Sequence, residues 1–171
     1  MLERKNLVAM AGHPVTLLGA GVNVGDSAPE FTVVDNSFGD FSSKSLQGKV
    51  RVYNVVLSLD TSICDTQTRR FNEEAAALGD DVEIVTLSVD LPPAQKRWCG
   101  AAGIDKVKVL SDYRDLEFGK SFGVLIKENH LLARSVFVVD KQNVVRYMEI
   151  MPDTKQFPDY DKAIHAVKAL L

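Results

Sequence analysis

The sequence has only two cysteines, Cys64 and Cys99, and it contains no C-x-x-C pair. That motif marks dithiol reductases, so its absence excludes that class of redox protein. The three histidines, His13, His130 and His165, stand alone and far from both cysteines, so a zinc site is not expected. The two cysteines are therefore a redox pair or structural thiols.

The chain also lacks an excess of positive charge and any long apolar run. Its net charge of −3 at pH 7 provides no basic surface for nucleic acid. No apolar run approaches the ~18 residues of a membrane span, and residues 7–11, behind Arg4 and Lys5, are shorter than the core of about 7 to 15 residues in a signal peptide. We therefore expect a cytoplasmic protein with reduced cysteines that binds neither nucleic acid nor membranes.

Length and element order predict the fold class. A chain of 171 residues, 46% hydrophobic and 25% charged, can bury a real core in one domain. The predicted order is strand, helix, strand, helix, then a hairpin and a last helix, as expected of a thioredoxin-like α/β fold with a central mixed sheet flanked by helices. Residues 7–10 and 15–18 flank Gly12-His13-Pro14 and predict another hairpin. We expect a single domain over residues 1–171, with residues 1–18 as an N-terminal hairpin extension.

The stretch that leads to Cys64 is the most informative part of the sequence. Residues 50–59 are rich in β-branched side chains and almost continuously apolar, as a strand covered on both faces should be. Asp60, Thr61 and Ser62 are each competent helix N-caps. Beyond them, residues recur at the spacing of one helical face: Cys64, Thr68, Phe71, Ala75 and Leu78. The pattern predicts a strand, a turn and a helix that carries Cys64 on its buried face, in the first turn.

Two interpretations of Cys64 follow from this position. The free N–H groups and the positive dipole end of a helix N-terminus favour a thiolate, which would make Cys64 a reactive nucleophile. Free cysteine is also among the most buried residue types, so Cys64 could be an inert core thiol. Its place behind a strand, a cap and a turn favours the reactive thiol.

Cys99 lies in a second predicted helix, which begins at Asp90-Leu91-Pro92-Pro93 after a strand over residues 82–89. Proline is tolerated there because the N–H groups of a first turn have no helical partner. Gly100 and Gly103 bracket the end of this helix, and a helix of about two turns is marginal in water. We therefore expect the helix around Cys99 to open at low cost.

Four separated motifs carry a family resemblance: Asp60-Thr61-Ser62-Ile63-Cys64, Arg69-Arg70-Phe71-Asn72, the stretch from Asp90 to Ala101 and the stretch from Leu132 to Asp140. Together they resemble bacterial-type thiol peroxidases, which are atypical two-cysteine peroxiredoxins. The resemblance covers nearly the whole chain, including the N-terminal hairpin. It implies a peroxidase without metal or organic cofactor that reduces hydrogen peroxide and organic hydroperoxides and is recycled by thioredoxin. Relatives also suggest a homodimer.

The resemblance implies a role for each of four residues. Cys64 would attack the hydroperoxide and become a sulfenic acid. Thr61 would orient the peroxide and the thiolate, and Arg134 would stabilise the thiolate and the charge on the departing oxygen. Cys99 would resolve the sulfenic acid to an intramolecular disulfide, which thioredoxin then reduces.

The residues themselves leave plainer interpretations open. Thr61 could be only an N-cap, and Arg134 could be a surface residue of a strand. Cys99 could be a packed neighbour of Trp98 or half of a static disulfide.

The sequence departs from the family pattern at two positions. Leu57 stands where a proline usually precedes the threonine by four positions and shields the reactive cysteine. Pro93 replaces what is commonly an aromatic residue. Both changes bear on the shape of the pocket. The alternative function is therefore a non-catalytic thioredoxin-like redox sensor or binding module, in which Leu57 marks the loss of peroxidase activity.

Overall fold

The computed structural model describes all 171 residues as ten strands, four α-helices and one short 3₁₀ helix. The strands are β1 (Glu3–Met10), β2 (His13–Leu18), β3 (Thr32–Val34), β4 (Asp40–Ser42), β5 (Val50–Val55), β6 (Val82–Ser88), β7 (Lys108–Ser111), β8 (Leu125–Ile126), β9 (Ser135–Val139) and β10 (Val145–Ile150). The helices are α1 (Ser62–Ala75), α2 (Pro92–Ala102), α3 (Glu117–Ser121) and α4 (Tyr160–Lys168), and the 3₁₀ helix is Ser43–Leu46.

Seven strands form one mixed sheet in the order β10-β9-β5-β6-β7-β3-β4. β5, β6 and β7 run parallel, whereas β9 pairs antiparallel to β5 and β3 pairs antiparallel to β7. β5 is buried at every position, including its two polar residues Arg51 and Asn54, as expected of a strand covered on both faces. The predicted central mixed sheet flanked by helices is confirmed.

Each face of the sheet packs against its own hydrophobic core. Because side chains alternate along a strand, Val50 and Val52 of β5 pack with Phe71 of α1 and Val167 of α4 in the smaller core. Tyr53 lies on the opposite face, in the larger core. The larger core also contains Cys64 and an aromatic group in edge contact with Tyr53: Phe31, Phe118 and Phe122. The start of α1 therefore lies where the two cores meet.

The N-terminal hairpin packs as part of a second, three-stranded sheet, β1-β2-β8. Its turn is at Ala11 and Gly12, both with positive φ, so the predicted turn at residues 12–14 was one or two residues too late, and His13 and Pro14 belong to β2. The free edge of β1 also binds a distant loop. The amide of Ala9 donates to the carbonyl of Pro152 at 2.8 Å, and the amide of Thr154 donates to the carbonyl of Ala9 at 3.0 Å.

Other boundaries differ from the prediction in ways that affect the site. The predicted strand over residues 50–59 ends at Val55, and the following residues form the turn before α1. α2 spans eleven residues instead of about two turns, and it ends at Gly103, whose φ of 67° closes the helix in the left-handed conformation. None of the four helices combines the length and the apolar character that a bilayer crossing requires.

Candidate active site

Cys64 is the third residue of α1 and is completely buried. Thr61 is the N-cap, and its carbonyl accepts the first helical bond from the amide of Asp65 at 2.9 Å. The turn before it is held by Asp90, which accepts the hydroxyl of Ser58 at 2.7 Å and the amide of Leu59 at 2.9 Å. The sulfur therefore lies at a fixed helix N-terminus, where unpaired N–H groups and the helix dipole favour negative charge.

A buried arginine cation lies against this sulfur. The Nη1 atom of Arg134 is 3.0 Å from the Sγ atom of Cys64, and Arg134 is only 2% exposed. A buried charge needs partners, and an opposite charge within ~4 to 6 Å stabilises an ionised thiol. Arg134 is thus not a surface residue of a strand, and its position can stabilise a negatively charged sulfur.

The other nitrogens of Arg134 fix the orientation of the guanidinium group. Nε and Nη2 both donate to the carbonyl of Thr154, at 3.0 and 2.8 Å. Nη1 also donates to Oε1 of Gln67 at 3.1 Å. Because three nitrogens bind two separate segments, the cation cannot rotate away from Cys64 without losing several hydrogen bonds.

A buried polar network fixes the side chain of Gln67 to the central sheet. Its Nε2 donates to Oδ1 of Asn54, whose Nδ2 donates to the hydroxyls of Thr86 at 2.9 Å and Thr68 at 3.2 Å. All four side chains are fully buried. Sequence reasoning missed this network, although two signals were present: Asn54 interrupts an apolar strand, and Gln67 follows Cys64 by three residues and so shares its helical face.

Thr61 lies at the start of α1 but its hydroxyl is occupied elsewhere. Its Oγ1 donates to the carbonyl of Ser58 at 3.0 Å, and its side chain neither caps α1 nor hydrogen-bonds to Cys64. Thr61 is exposed, whereas Cys64 is completely buried. A role in orienting peroxide requires this hydroxyl to turn inward from its present bond.

Cys99 is half-buried in the second half of α2, and both cysteines are free thiols. Burial raises the pKa of the Cys99 thiol above its ordinary value. Cys99 lines a cavity of about 410 Å³ together with residues of the β3–β4 turn and of β7, and Cys64 does not line that cavity. The structure therefore brings Cys64 and Arg134 together, whereas Cys99 lines a cavity that Cys64 does not reach.

The two positions that depart from the family pattern differ in their surroundings. Leu57 is 5% exposed and packs in the larger core, and its amide makes no hydrogen bond. Pro93 is exposed in the first turn of α2.

No group of three or more His, Cys, Asp or Glu side chains is placed to hold a metal ion.

Comparison with known proteins agrees with this arrangement. A family model described as Redoxin matches residues 23–164. The chain is 56% identical over 164 residues to a thiol peroxidase of Bacillus subtilis, covering 96% of this chain and 98% of that protein. It is 54% identical over 164 residues to a thiol peroxidase of Halalkalibacterium halodurans, with the same coverage.

Among solved structures, a peroxiredoxin-like protein from Aquifex aeolicus superposes with a TM-score of 0.91 at 40% identity, covering 98% of each chain. The predicted thioredoxin-like fold class is therefore confirmed together with the mixed sheet. The sequence motifs, the fold and these relatives agree, and the chain belongs to the thiol peroxidases of the peroxiredoxin family.

Proposed function

We propose that this thiol peroxidase reduces hydroperoxides at Cys64, with Arg134 as the stabilising cation, Thr61 as the group that orients the peroxide, and Cys99 as the resolving thiol. The observation that carries the proposal is the 3.0 Å contact between Nη1 of Arg134 and Sγ of Cys64 at full burial. A structural cysteine has no use for a cation at its sulfur, whereas a nucleophilic thiolate needs one.

In the first step, the Cys64 thiolate attacks the terminal oxygen of the hydroperoxide. The S–O bond forms as the O–O bond breaks, and the departing alkoxide or hydroxide takes up a proton, so that Cys64 becomes a sulfenic acid. Arg134 offsets the negative charge that moves from sulfur to the leaving oxygen. Since Cys64 is completely buried, a peroxide reaches its sulfur only when neighbouring residues move.

In the second step, the Cys99 thiol attacks the sulfur of the Cys64 sulfenic acid. An intramolecular disulfide forms and water leaves, so the two electrons given to the peroxide have come from the two thiols. Thioredoxin, a dithiol, restores both thiols by exchange. We further propose that the protein works as a homodimer in the cytoplasm, where its cysteines are kept reduced.

The test is to mix the reduced protein with one equivalent of hydrogen peroxide or an alkyl hydroperoxide and to follow thiol loss by rapid quench. We expect loss far faster than that of free cysteine at the same pH, a faster-moving monomer on a non-reducing gel, and a sulfenic acid that accumulates in Cys99→Ser but not in Cys64→Ser. Thiol loss at the rate of free cysteine would favour the redox sensor instead. A covalent dimer as main product would reject Cys99 as the internal resolving thiol.

A further inference from the structure

Three side chains join the helix of Cys64 to the helix of Cys99. The indole N–H of Trp98 donates to Oδ1 of Asp65 at 2.9 Å, and Nε of Arg69 donates to Oδ2 of the same carboxylate at 3.0 Å. The guanidinium of Arg69 lies 5.7 Å from the centroid of the Trp98 ring and donates to the carbonyl of Ala102 at 3.3 Å. We call Asp65, Arg69 and Trp98 the interhelix cluster.

The position of this cluster in the sequence is its most informative property. Asp65 directly follows Cys64, and Trp98 directly precedes Cys99. One hydrogen bond thus joins the neighbours of both cysteines.

The two halves of α2 are held in different ways. In the first half, Gln95 is fully buried and donates to the hydroxyl of Ser88 at 3.0 Å and to the carbonyl of Leu110 at 2.9 Å, which fixes the helix to the sheet. In the second half, the only hydrogen bonds to other elements are those of the interhelix cluster, to the side chain of Trp98 and the carbonyl of Ala102. The second half, which carries Cys99 between Trp98 and Gly100, packs against the larger core through Trp98 and Cys99, but its hydrogen bonds to other elements come only from the cluster.

Disulfide formation requires this half of α2 to move. A disulfide needs Cα atoms within about 7 Å and sulfurs at bonding distance, with the Cβ atoms directed toward each other. Cys99 lines the cavity beside β7, whereas Cys64 is covered and held against Arg134. Local unwinding of the second half of α2, which ends at the glycine C-cap Gly103, releases Cys99 from that cavity.

On the basis of the proposed function, we propose that the interhelix cluster is a latch that holds the Cys99 helix folded and sets the rate of the resolving step. With the latch closed, Cys64 can be oxidised but Cys99 cannot reach it. With the latch open, the Cys99 thiol attacks the Cys64 sulfenic acid, the S–S bond forms and water leaves.

The latch also couples unwinding of the first turn of α1 to unwinding of the second half of α2. Asp65 sits in the first turn of α1, so unwinding of that turn carries the acceptor away from Trp98. A second peroxide that arrives before the latch opens converts the sulfenic acid to the sulfinic acid. Asp65, Arg69 and Trp98 are accordingly positioning residues for the resolving step, and they contact no reacting atom.

The test compares Trp98→Phe, which deletes the indole N–H and keeps an aromatic ring, with Arg69→Met and with the control Lys96→Gln on the exposed face of α2. Hydrogen exchange of the amides of residues 98–102 is measured in the reduced proteins, with β5 as internal reference. Loss of one hydrogen bond to a partly exposed carboxylate should speed exchange about 5- to 10-fold in Trp98→Phe. Arg69→Met should have a smaller effect because its ion pair is exposed, and Lys96→Gln should have none.

The same proteins are then mixed with one equivalent of peroxide, and sulfenic acid and disulfide are quantified by mass at successive times. We expect sulfenic acid formation at the parental rate, and disulfide formation about 5- to 10-fold faster in Trp98→Phe with less sulfinic acid under excess peroxide. Parental exchange and parental disulfide formation in Trp98→Phe would overturn the latch, as would slower disulfide formation. Failure of the proposed function looks different, because the parent protein would then form no sulfenic acid rapidly.

Discussion

Arg134 and Cys64 are 70 positions apart in the sequence, yet Nη1 of Arg134 lies 3.0 Å from Sγ of Cys64. β9 and β5 are antiparallel neighbours, so the residue just before β9 meets the turn that follows β5. Alternation along β9 puts Arg134 on the same face as Val136 and Val138, the face that α1 covers. The sheet topology itself thus brings a cation to the start of α1.

Replacement of Arg134 by methionine keeps much of the side-chain bulk and deletes the cation. Because one electrostatic stabiliser of a transition state typically contributes about 10² or more in rate, we expect Arg134→Met to slow peroxide-driven oxidation of Cys64 by at least about that factor. Rapid-quench measurement of thiol loss tests this. The matched control is Arg114→Met, which removes an exposed arginine paired with Asp40 and Asp115 and should keep the parental rate. Equal rates in both variants would remove Arg134 from the mechanism.

The N-terminal hairpin supports the active site through one backbone segment. Ala9 of β1 binds both Pro152 and Thr154, and the carbonyl of Thr154 accepts two hydrogen bonds from Arg134. Ala9→Pro removes the amide that donates to Pro152, and we expect peroxide reduction to slow about 2- to 10-fold, the effect of one backbone hydrogen bond. Ala9→Ser keeps the amide and should react at the parental rate. A parental rate in Ala9→Pro would show that the hairpin does not support Arg134.

Asp112 makes stability depend on pH in mildly acidic solution. The side chain is 2% exposed and accepts the amides of Phe118 and Gly119 at 3.1 and 2.8 Å, and burial raises its pKa to about 6 from an ordinary value near 3.8. Between these values the folded chain binds more protons than the unfolded chain. The contribution of Asp112 to the free energy of unfolding therefore falls as pH rises from about 4 to 6, and it is constant above that range.

The total fall expected from this carboxyl group is on the order of 2 to 3 kcal/mol, at about 1.36 kcal/mol per pKa unit. Urea unfolding of the parent and of Asp112→Asn at several pH values between 4 and 7 measures it, since the variant cannot ionise. The difference between the two unfolding free energies should change across this window. A difference that is the same at pH 4 and pH 7 would contradict the assignment.

Leu57→Pro restores the residue that the family pattern usually has before Thr61. The amide of Leu57 makes no hydrogen bond, so proline removes no bond there, and a compatible proline typically adds about 0.4 to 1 kcal/mol of stability. A more rigid turn before the helix of Cys64 should lower the sulfinic acid fraction under repeated peroxide exposure, as read by intact mass. An unchanged fraction would mean that leucine already shields the sulfur as well as proline does.

Local chemistry made the start of α1 predictable from the sequence. An apolar run, three capping residues and a helical repeat place Cys64 in a first turn, and the structure has it there. The partners of Arg134 were not predictable in this way. The carbonyl of Thr154 carries no sequence signal, since every residue has one, and its position depends on the pairing of residues 152–154 with Ala9 across most of the chain.

Two other differences have physical reasons. Residues 56–59 are as apolar as a strand but form the turn before α1, because Asp90 binds the hydroxyl of Ser58 and the amide of Leu59. Thr61 is one of three residues able to cap α1 with a side chain, and it is the N-cap, but its hydroxyl binds the carbonyl of Ser58 instead of a helix amide. In both cases, a hydrogen bond within or across the turn overrides the local preference of the sequence.

The attachment of Arg134 to Thr154 divides the site between a stationary part and a part that can unwind. The cation is bound to the loop that β1 holds, and the sulfur belongs to the first turn of a helix. When that turn unwinds, Cys64 leaves and the guanidinium stays behind, so the sulfur loses its stabilising charge and the N–H groups around it together. A partly opened molecule therefore has a Cys64 sulfur without the Arg134 contact. Under the proposed function, the chain gains its reactivity toward peroxide only on completing its fold.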